Sequence, residues 1–378
     1  YGMRCVGPNC LGVVNTHPDV RMDGCFAESL PERGNIGFVS QSGALGGGIL
    51  NILKDLNLGF AQFISIGNQA DVNAETALEY WENDEDVEQI LLYMESIQNP
   101  ANFRKLASRI SRKKPVLALK AGRSAAGASA ASSHTGSLAG ADKAANALLK
   151  QSGVIREYSL KNLFATAKVF ANCPIPQGDR VAIITNSGGP GIMATDAISE
   201  YGMQMAKITD ETKEKLRSFL PSAASVKNPI DMIASAPIEH YKQTLETVIA
   251  DPNVDMIITI YLPFLGLKDI DVAQALMEIK AQHPEKPIIG VFMTKSEFFT
   301  KLSNMDVNMP FFMYAEEAAD GLNRLNQQRL WMERPEGKIP VFDVDHEKAK
   351  QIIRKSISEG RAQLTTRESI DVLDAYGI

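Results

Sequence analysis

The sequence predicts an α/β protein made of two units, each a parallel sheet with helices on both faces. Short β-branched runs alternate with helical stretches from residue 34 onward. A strand, a Ser/Gly-rich turn and a helix of small residues follow one another twice. The most apolar run, 254–263, has the length of a buried parallel strand and ends in proline.

In chain order, 35–39 reads as a strand that runs into Ser40-Gln-Ser-Gly43 and an amphipathic helix. Further strands are expected at 60–66, ending in Gly67-Asn-Gln-Ala-Asp71, at 88–94, ending at Glu95, and at 115–119, ending in Lys120-Ala-Gly122. The helix before the last of these gathers Arg109, Arg112, Lys113 and Lys114 late, as the negative end of a helix dipole favours. From Arg123 to Gly140 the chain is almost wholly Ala, Ser and Gly around one histidine, His134, and reads as a long mobile loop. Fully extended, such a segment spans on the order of 55 Å. A helix at 141–151 and a strand at 154–157 close the first unit. A linker at 172–179 leads to strand 181–185, the turn Asn186-Ser-Gly-Gly189 and helix 193–201. Strands at 204–208, 254–262, 287–293 and 309–314 complete the second unit. The halves read as a divergent duplication of one flavodoxin-like unit. Beyond about 343 the chain turns charged and helical, with Thr366 and Ser369 marking a last helix start.

Composition narrows the function. The 378 residues predict two large domains plus remnants. A net charge of −6, spread along the chain, excludes the basic stripe that nucleic-acid binding needs. Cys5, Cys10, Cys25 and Cys173 are too scattered for a disulfide framework or a zinc cage, so no metal is expected and the reducing cytoplasm is the expected compartment. No run approaches the ~18 apolar residues of a membrane span. The chain opens at Tyr1 without a signal sequence and reads as a piece of a longer protein.

Three constellations could carry chemistry. The turns after 35–39 and 181–185 each feed a helix, whose first N–H groups are unpaired and carry partial positive charge, so either suits an anion. Neither has the Walker lysine or the dinucleotide-fingerprint spacing, which disfavours ATP or NAD there. His134 has small neighbours that would let its imidazole enter a tight site, and a neutral imidazole nitrogen is a competent nucleophile toward phosphorus. Glu95 stands just past a strand, where open α/β sheets place ligand-contacting residues, and could hold the other ring N–H. His17, His240, His283 and His346 lack metal spacing and read as structural.

Gly7-Pro-Asn-Cys-Leu-Gly12, Val39-Ser-Gln-Ser-Gly-Ala-Leu45, Ser65-Ile-Gly67, Lys120-Ala-Gly-Arg123, Ser133-His-Thr-Gly-Ser137 and Asn186-Ser-Gly-Gly189 occur in that order. Together they resemble the ADP-forming acetyl-CoA synthetases of the succinyl-CoA synthetase superfamily, over nearly the whole chain. The resemblance implies an acid–thiol ligase that interconverts acyl-CoA, phosphate and ADP with a carboxylic acid, CoA and ATP. It implies a phosphohistidine at His134, oriented by Glu95. Ser40, Gln41, Ser42, Gly43 and Gly67, with Asn186, Ser187, Gly188 and Gly189, are then expected to bind phosphate, and Asn9 and Cys10 to lie near the CoA thiol. It further implies that 1–31 is the tail of a CoA-binding Rossmann domain, 32–172 and 173–342 the two ligase domains, and 343–378 a linker entering an ATP-grasp domain. CoA, ADP or ATP and Mg²⁺ would be bound mainly by domains outside this chain, so none is expected to bind tightly here. The ATP-grasp domain is expected in cis or as a separate subunit, and the protein as a homo-oligomer. The competing expectation is an acyl-CoA-sensing regulatory module of a protein acetyltransferase. The turn after Gly67 departs from the superfamily pattern, having Asn68-Gln-Ala-Asp71 where a second glycine often stands.

Overall fold

The structure, a computed structural model, describes residues 2–135, 142–264, 266–337 and 340–378, with the backbone alone for 131–135. The chain divides into two compact units, Tyr1–Glu333 and Arg334–Ile378.

The first unit holds both sheets. In its first half the elements are β1 (Gly12–Asn15), β2 (Met22–Cys25), β3 (Ile36–Ser40), α1 (Gly43–Ile52), β4 (Phe60–Ser65), α2 (Ala74–Trp81), β5 (Gln89–Met94), α3 (Pro100–Ile110), β6 (Val116–Lys120), α4 (Ala125–Thr135), α5 (Asp142–Gln151), β7 (Ile155–Glu157) and α6 (Leu160–Asn172). Among the described residues these strands form a seven-stranded sheet in the order β2-β1-β4-β3-β5-β6-β7. Strands β3 to β7 are parallel, while β1 runs antiparallel to both β2 and β4. Every residue of β3 is buried, as a strand covered on both faces requires. Successive side chains along β5 feed opposite cores: Ile90, Leu92 and Met94 pack with α2 and α3, whereas Leu91 packs with α1 and α6.

The second half repeats the plan with β8 (Arg180–Thr185), α7 (Gly188–Glu200), β9 (Gln204–Met205), α8 (Asp210–Phe219), β10 (Ile230–Asp231), α9 (Ile238–Ile249), β11 (Met256–Tyr261), α10 (Asp269–Gln282), β12 (Ile288–Phe292), α11 (Ser296–Leu302), β13 (Phe311–Phe312) and α12 (Ala315–Glu333). Its parallel sheet runs β10-β8-β11-β12-β13, with β9 also paired to β8. The two halves meet where α12 packs on α6. Ser111 anchors this seam, accepting from Gln328 Nε2 at its carbonyl (2.6 Å) and from Trp331 Nε1 at its hydroxyl (2.8 Å). Arg324 reaches the buried Glu157 at 3.1 Å.

In the second unit, α13 (His346–Ser358) packs on α14 (Thr366–Ala375). The cap of α14 is Thr365, one residue before the expected Thr366. Its partner is Glu368, in a reciprocal capping box, rather than Ser369.

Two further differences bear on the site. The segment 123–140, read as a loop, is helical over Ala125–Thr135. Alanine is the strongest helix former, and Ser124 starts the helix by accepting the Gly127 N–H at 3.0 Å. The first contiguous turn of α7 begins at Gly188, not at 193. Its Pro190 sits in the first turn, where a missing N–H costs nothing.

Candidate functional site

The first Ser/Gly turn is built by bonds from its own strand. Ser40, the last residue of β3, is buried, and its Oγ donates to the Ser42 carbonyl at 2.7 Å. Ser42 caps α1, accepting the Leu45 N–H at 3.3 Å. The buried Gln41 bridges to the neighbouring strand end. Its Oε1 accepts the Glu95 N–H and the Ser96 N–H, the latter at 2.9 Å, and its Nε2 donates to Ser96 Oγ at 3.3 Å. Glu95 is thereby fixed at the carboxyl end of β5, with 8% of its surface exposed.

Residues 7–11 close over this turn. A Cβ on Gly43 would lie 3.1 Å from the Leu11 nitrogen and 3.5 Å from the Cys10 carbonyl carbon. Ser65 Oγ accepts the Leu11 N–H at 2.9 Å. Gly67, at φ 49°, stacks so closely that a Cβ there would sit 2.3 Å from the carbonyl oxygens of both Pro8 and Asn9. Asn9 Nδ2 donates to Asn68 Oδ1 at 3.3 Å. The structure therefore brings together Asn9, Cys10, Ser40, Gln41, Ser42, Gly43, Gly67 and Glu95.

The second turn repeats these bonds. Thr185 Oγ1 donates to the Ser187 carbonyl at 2.7 Å, as Ser40 does to Ser42. Asn186 Oδ1 accepts the Leu262 N–H at 2.9 Å, as Gln41 does for Glu95. The Met232 N–H bonds the Thr185 carbonyl at 2.8 Å, as Ile66 does for Ser40 at 2.9 Å. Leu262 therefore stands where the first half has Glu95. Register makes Asp231 the counterpart of Ser65, since Ser40 pairs with Ser65 and Thr185 with Asp231. The next residue but one is Gly67 in the first half and Ile233 in the second, both at positive φ (49° and 65°). A β-branched residue there costs about 1–2 kcal/mol. Unlike Ser42, Ser187 makes no side-chain cap bond, and Gly188 and Gly189 are exposed.

Sequence reasoning missed two groups. Asp231 lies in a strand of two residues, too short for any periodic signal; a Cβ on Gly188 would come within 3.5 Å of its Oδ2. Lys120, which pairs in register with Met94, is buried, and burial pushes its ammonium pKa down. Its Nζ donates to the Ala121 carbonyl at 2.5 Å. The sequence signal for Lys120 was present, as a charged residue ending an apolar strand.

His134 lies on α4, but its side chain and residues 136–141 are outside the described residues. Among the described residues no hydrogen bond links the two turns to each other. No group of three His, Cys, Asp or Glu side chains gathers there as a metal site, and no helix is long and apolar enough to cross a membrane.

Residues 33–170 match the succinyl-CoA ligase like flavodoxin domain and residues 181–320 the ligase-CoA domain. The chain is 43% identical over 296 residues to the acetate–CoA ligase [ADP-forming] II subunit alpha of Pyrococcus furiosus, covering 78% of this chain and 64% of that protein. It is 36% identical to acetate–CoA ligase [ADP-forming] I of Archaeoglobus fulgidus, covering 100% of this chain and 54% of that one. It therefore spans only part of the length of these relatives. The solved structure of a dinucleotide forming acetyl-coenzyme A synthetase 1 from Ca. Korarchaeum cryptofilum, in complex with phosphate and ADP, superposes with a TM-score of 0.81 at 30% identity, covering 88% of this chain and 72% of that one.

Proposed function

The chain belongs to the ADP-forming acyl-CoA synthetases of the succinyl-CoA synthetase superfamily, and on that footing we propose that it supplies the ligase domains and the phosphohistidine of such an enzyme. The observation that carries the proposal is the Gln41 clamp, which holds Glu95 at a strand end beside the helix turn of α1.

Phosphate attacks the acyl-CoA thioester, forming an acyl phosphate and releasing the CoA thiolate. His134 then takes the phosphoryl group through one ring nitrogen, releasing the carboxylic acid. Glu95 accepts the other ring N–H, which fixes the nucleophilic tautomer and stabilises the positive charge that the imidazole gains. The uncapped N–H groups at the start of α7 and those at the start of α1 meet the phosphate oxygens. Asn9 and Cys10, packed on Gly43 and Gly67, line the approach of the thioester. Ala125–Thr135 carries His134 on a helix of small residues, which can pass through a narrow space to an ATP-grasp domain, in cis or on a separate subunit. That domain supplies ADP and Mg²⁺. We assign 1–31 to the end of a CoA-binding domain, 32–172 and 173–342 to the ligase domains, and 343–378 to the entry of the ATP-grasp domain. The free thiols fit a cytoplasmic protein.

The test combines the protein with its ATP-grasp domain, acetyl-CoA, phosphate, ADP and Mg²⁺, and reads ATP by coupled luminescence. ATP forms with wild type and not with His134→Ala. If wild type binds acetyl-CoA yet forms no ATP with acetyl-, propionyl- or aryl-CoA, the protein is a regulatory module and the reading falls.

A further inference from the structure

The bond-for-bond correspondence between the two turns exposes one exchange. In the first half, the strand on one side of the turn ends in a carboxylate, Glu95, and the strand on the other side presents a hydroxyl, Ser65, already used by the Leu11 N–H. In the second half these are Leu262 and Asp231. The carboxylate has changed sides. Asp231 Oδ1 accepts the Ile233 N–H at 2.9 Å. Its Oδ2 accepts no hydrogen bond among the described residues and points to the Gly188 position, 3.5 Å from where a Cβ would stand.

A fully ionised anion at this turn would be repelled by Asp231. A ligand that offers both an anionic oxygen and a hydrogen satisfies the turn and the carboxylate together. Near neutral pH inorganic phosphate is such a ligand, because its monohydrogen form keeps one P–O–H. In the function proposed above the N–H of His134 is held by Glu95, so it does not need Asp231.

We infer that Asp231 is the catalytic base for phosphate, accepting the P–O–H proton through Oδ2 as phosphate attacks the thioester. In this step a P–O–C(acyl) bond forms, the C–S bond breaks, the thiolate leaves with the electron pair, and the proton passes from phosphate to the Asp231 carboxylate. The assignment rests on the function proposed above and divides it: Asp231 serves thioester cleavage, Glu95 serves His134.

The experiment separates the two half-reactions in the full-length enzyme. Phosphate-dependent release of CoA thiol from acetyl-CoA is followed with a chromogenic disulfide, and phosphorylation of His134 by acetyl phosphate is followed with ³²P. Asp231→Asn keeps the acceptor for the Ile233 N–H and removes only the base. It is expected to slow thiol release at saturating phosphate by about 10²–10⁴-fold, with His134 labelling within threefold of wild type. Asp231→Ser, which installs the residue of the first half, shows the same split and serves if the Asn variant folds poorly. Wild-type thiol release in either folded variant overturns the inference. Equal loss of both half-reactions in a variant with an unchanged circular dichroism spectrum also overturns it, by placing Asp231 on the histidine. If wild type itself neither labels His134 nor releases thiol, the underlying function fails and takes this assignment with it.

Discussion

The turns that follow β3 and β8 share their hydroxyl-to-carbonyl bond, their side-chain bridge to the next strand and their helix start, yet one is packed against another segment and the other is not. The first is capped by Ser42 and covered by residues 7–11, which approach Gly43 and Gly67 to backbone contact. The second has no side-chain cap, and a Cβ on Gly189 would meet nothing within 4 Å. The two halves share this scaffold because buried bridges such as Gln41 and Asn186 accept backbone N–H groups at the neighbouring strand ends. Divergence fell on the positions that the scaffold leaves free: Glu95 against Leu262, Ser65 against Asp231. One fold can thus present two chemically different turns.

This comparison breaks first at Glu95. Glu95→Gln is expected to lower the rate of His134 labelling by acetyl phosphate about 10³-fold or more, since the amide holds the wrong tautomer. The exchange Leu262→Glu is not expected to restore it. Labelling kinetics decide, and restoration would mean that the turns are interchangeable. Next come the bridges. Gln41→Ala removes the acceptor of the Glu95 and Ser96 N–H groups and loosens the carboxylate, slowing labelling about 10–100-fold. Asn186→Ala leaves labelling near wild type and raises the KM for phosphate in thiol release.

The glycines sharpen the contrast between packed and open. Gly67→Ala meets two carbonyl oxygens at 2.3 Å in a left-handed conformation and should cost about 3 kcal/mol in urea unfolding. Gly189→Ala should stay within about 1 kcal/mol of wild type, and on the favourable side, because alanine in a helix turn is better than glycine. Equal destabilisation would show that the second turn is closed after all.

The smallest effect is a control remote from both turns. Hydrogen bonds from Arg109 and then Lys113 lower the Glu82 carboxyl to about 2. A carboxylate with a depressed folded pKa contributes stability that is complete above its unfolded value of about 4.3 and is lost as pH falls toward the folded value. Glu82→Gln should therefore lower the thermal midpoint slightly at pH 7, with the difference shrinking between about pH 4 and the folded value of about 2. Labelling at His134 should not change.

Much of this was legible in the sequence, and the physical reasons are particular. β3, β5, β8 and β11 announce themselves by continuous apolar runs, and the residue that follows each run falls at the carboxyl end of the sheet, so Glu95 and both turns could be placed. α4 was hidden because serine and glycine masked the helical preference of its alanines. Asp231 was hidden because β10 is two residues long, and its counterpart Ser65 can be recognised only through strand register. Leu262 gave no signal at all, because its meaning lies in what it replaces.

The most direct test of the account is to locate the phosphoryl group. Wild type and His134→Ala are incubated with ³²P acetyl phosphate, digested, and mapped by mass spectrometry at alkaline pH. The account predicts one base-stable, acid-labile phosphoryl group per chain, on the peptide containing His134, and none in the variant. Label of equal amount in His134→Ala, or label on another residue of the wild type, would contradict it.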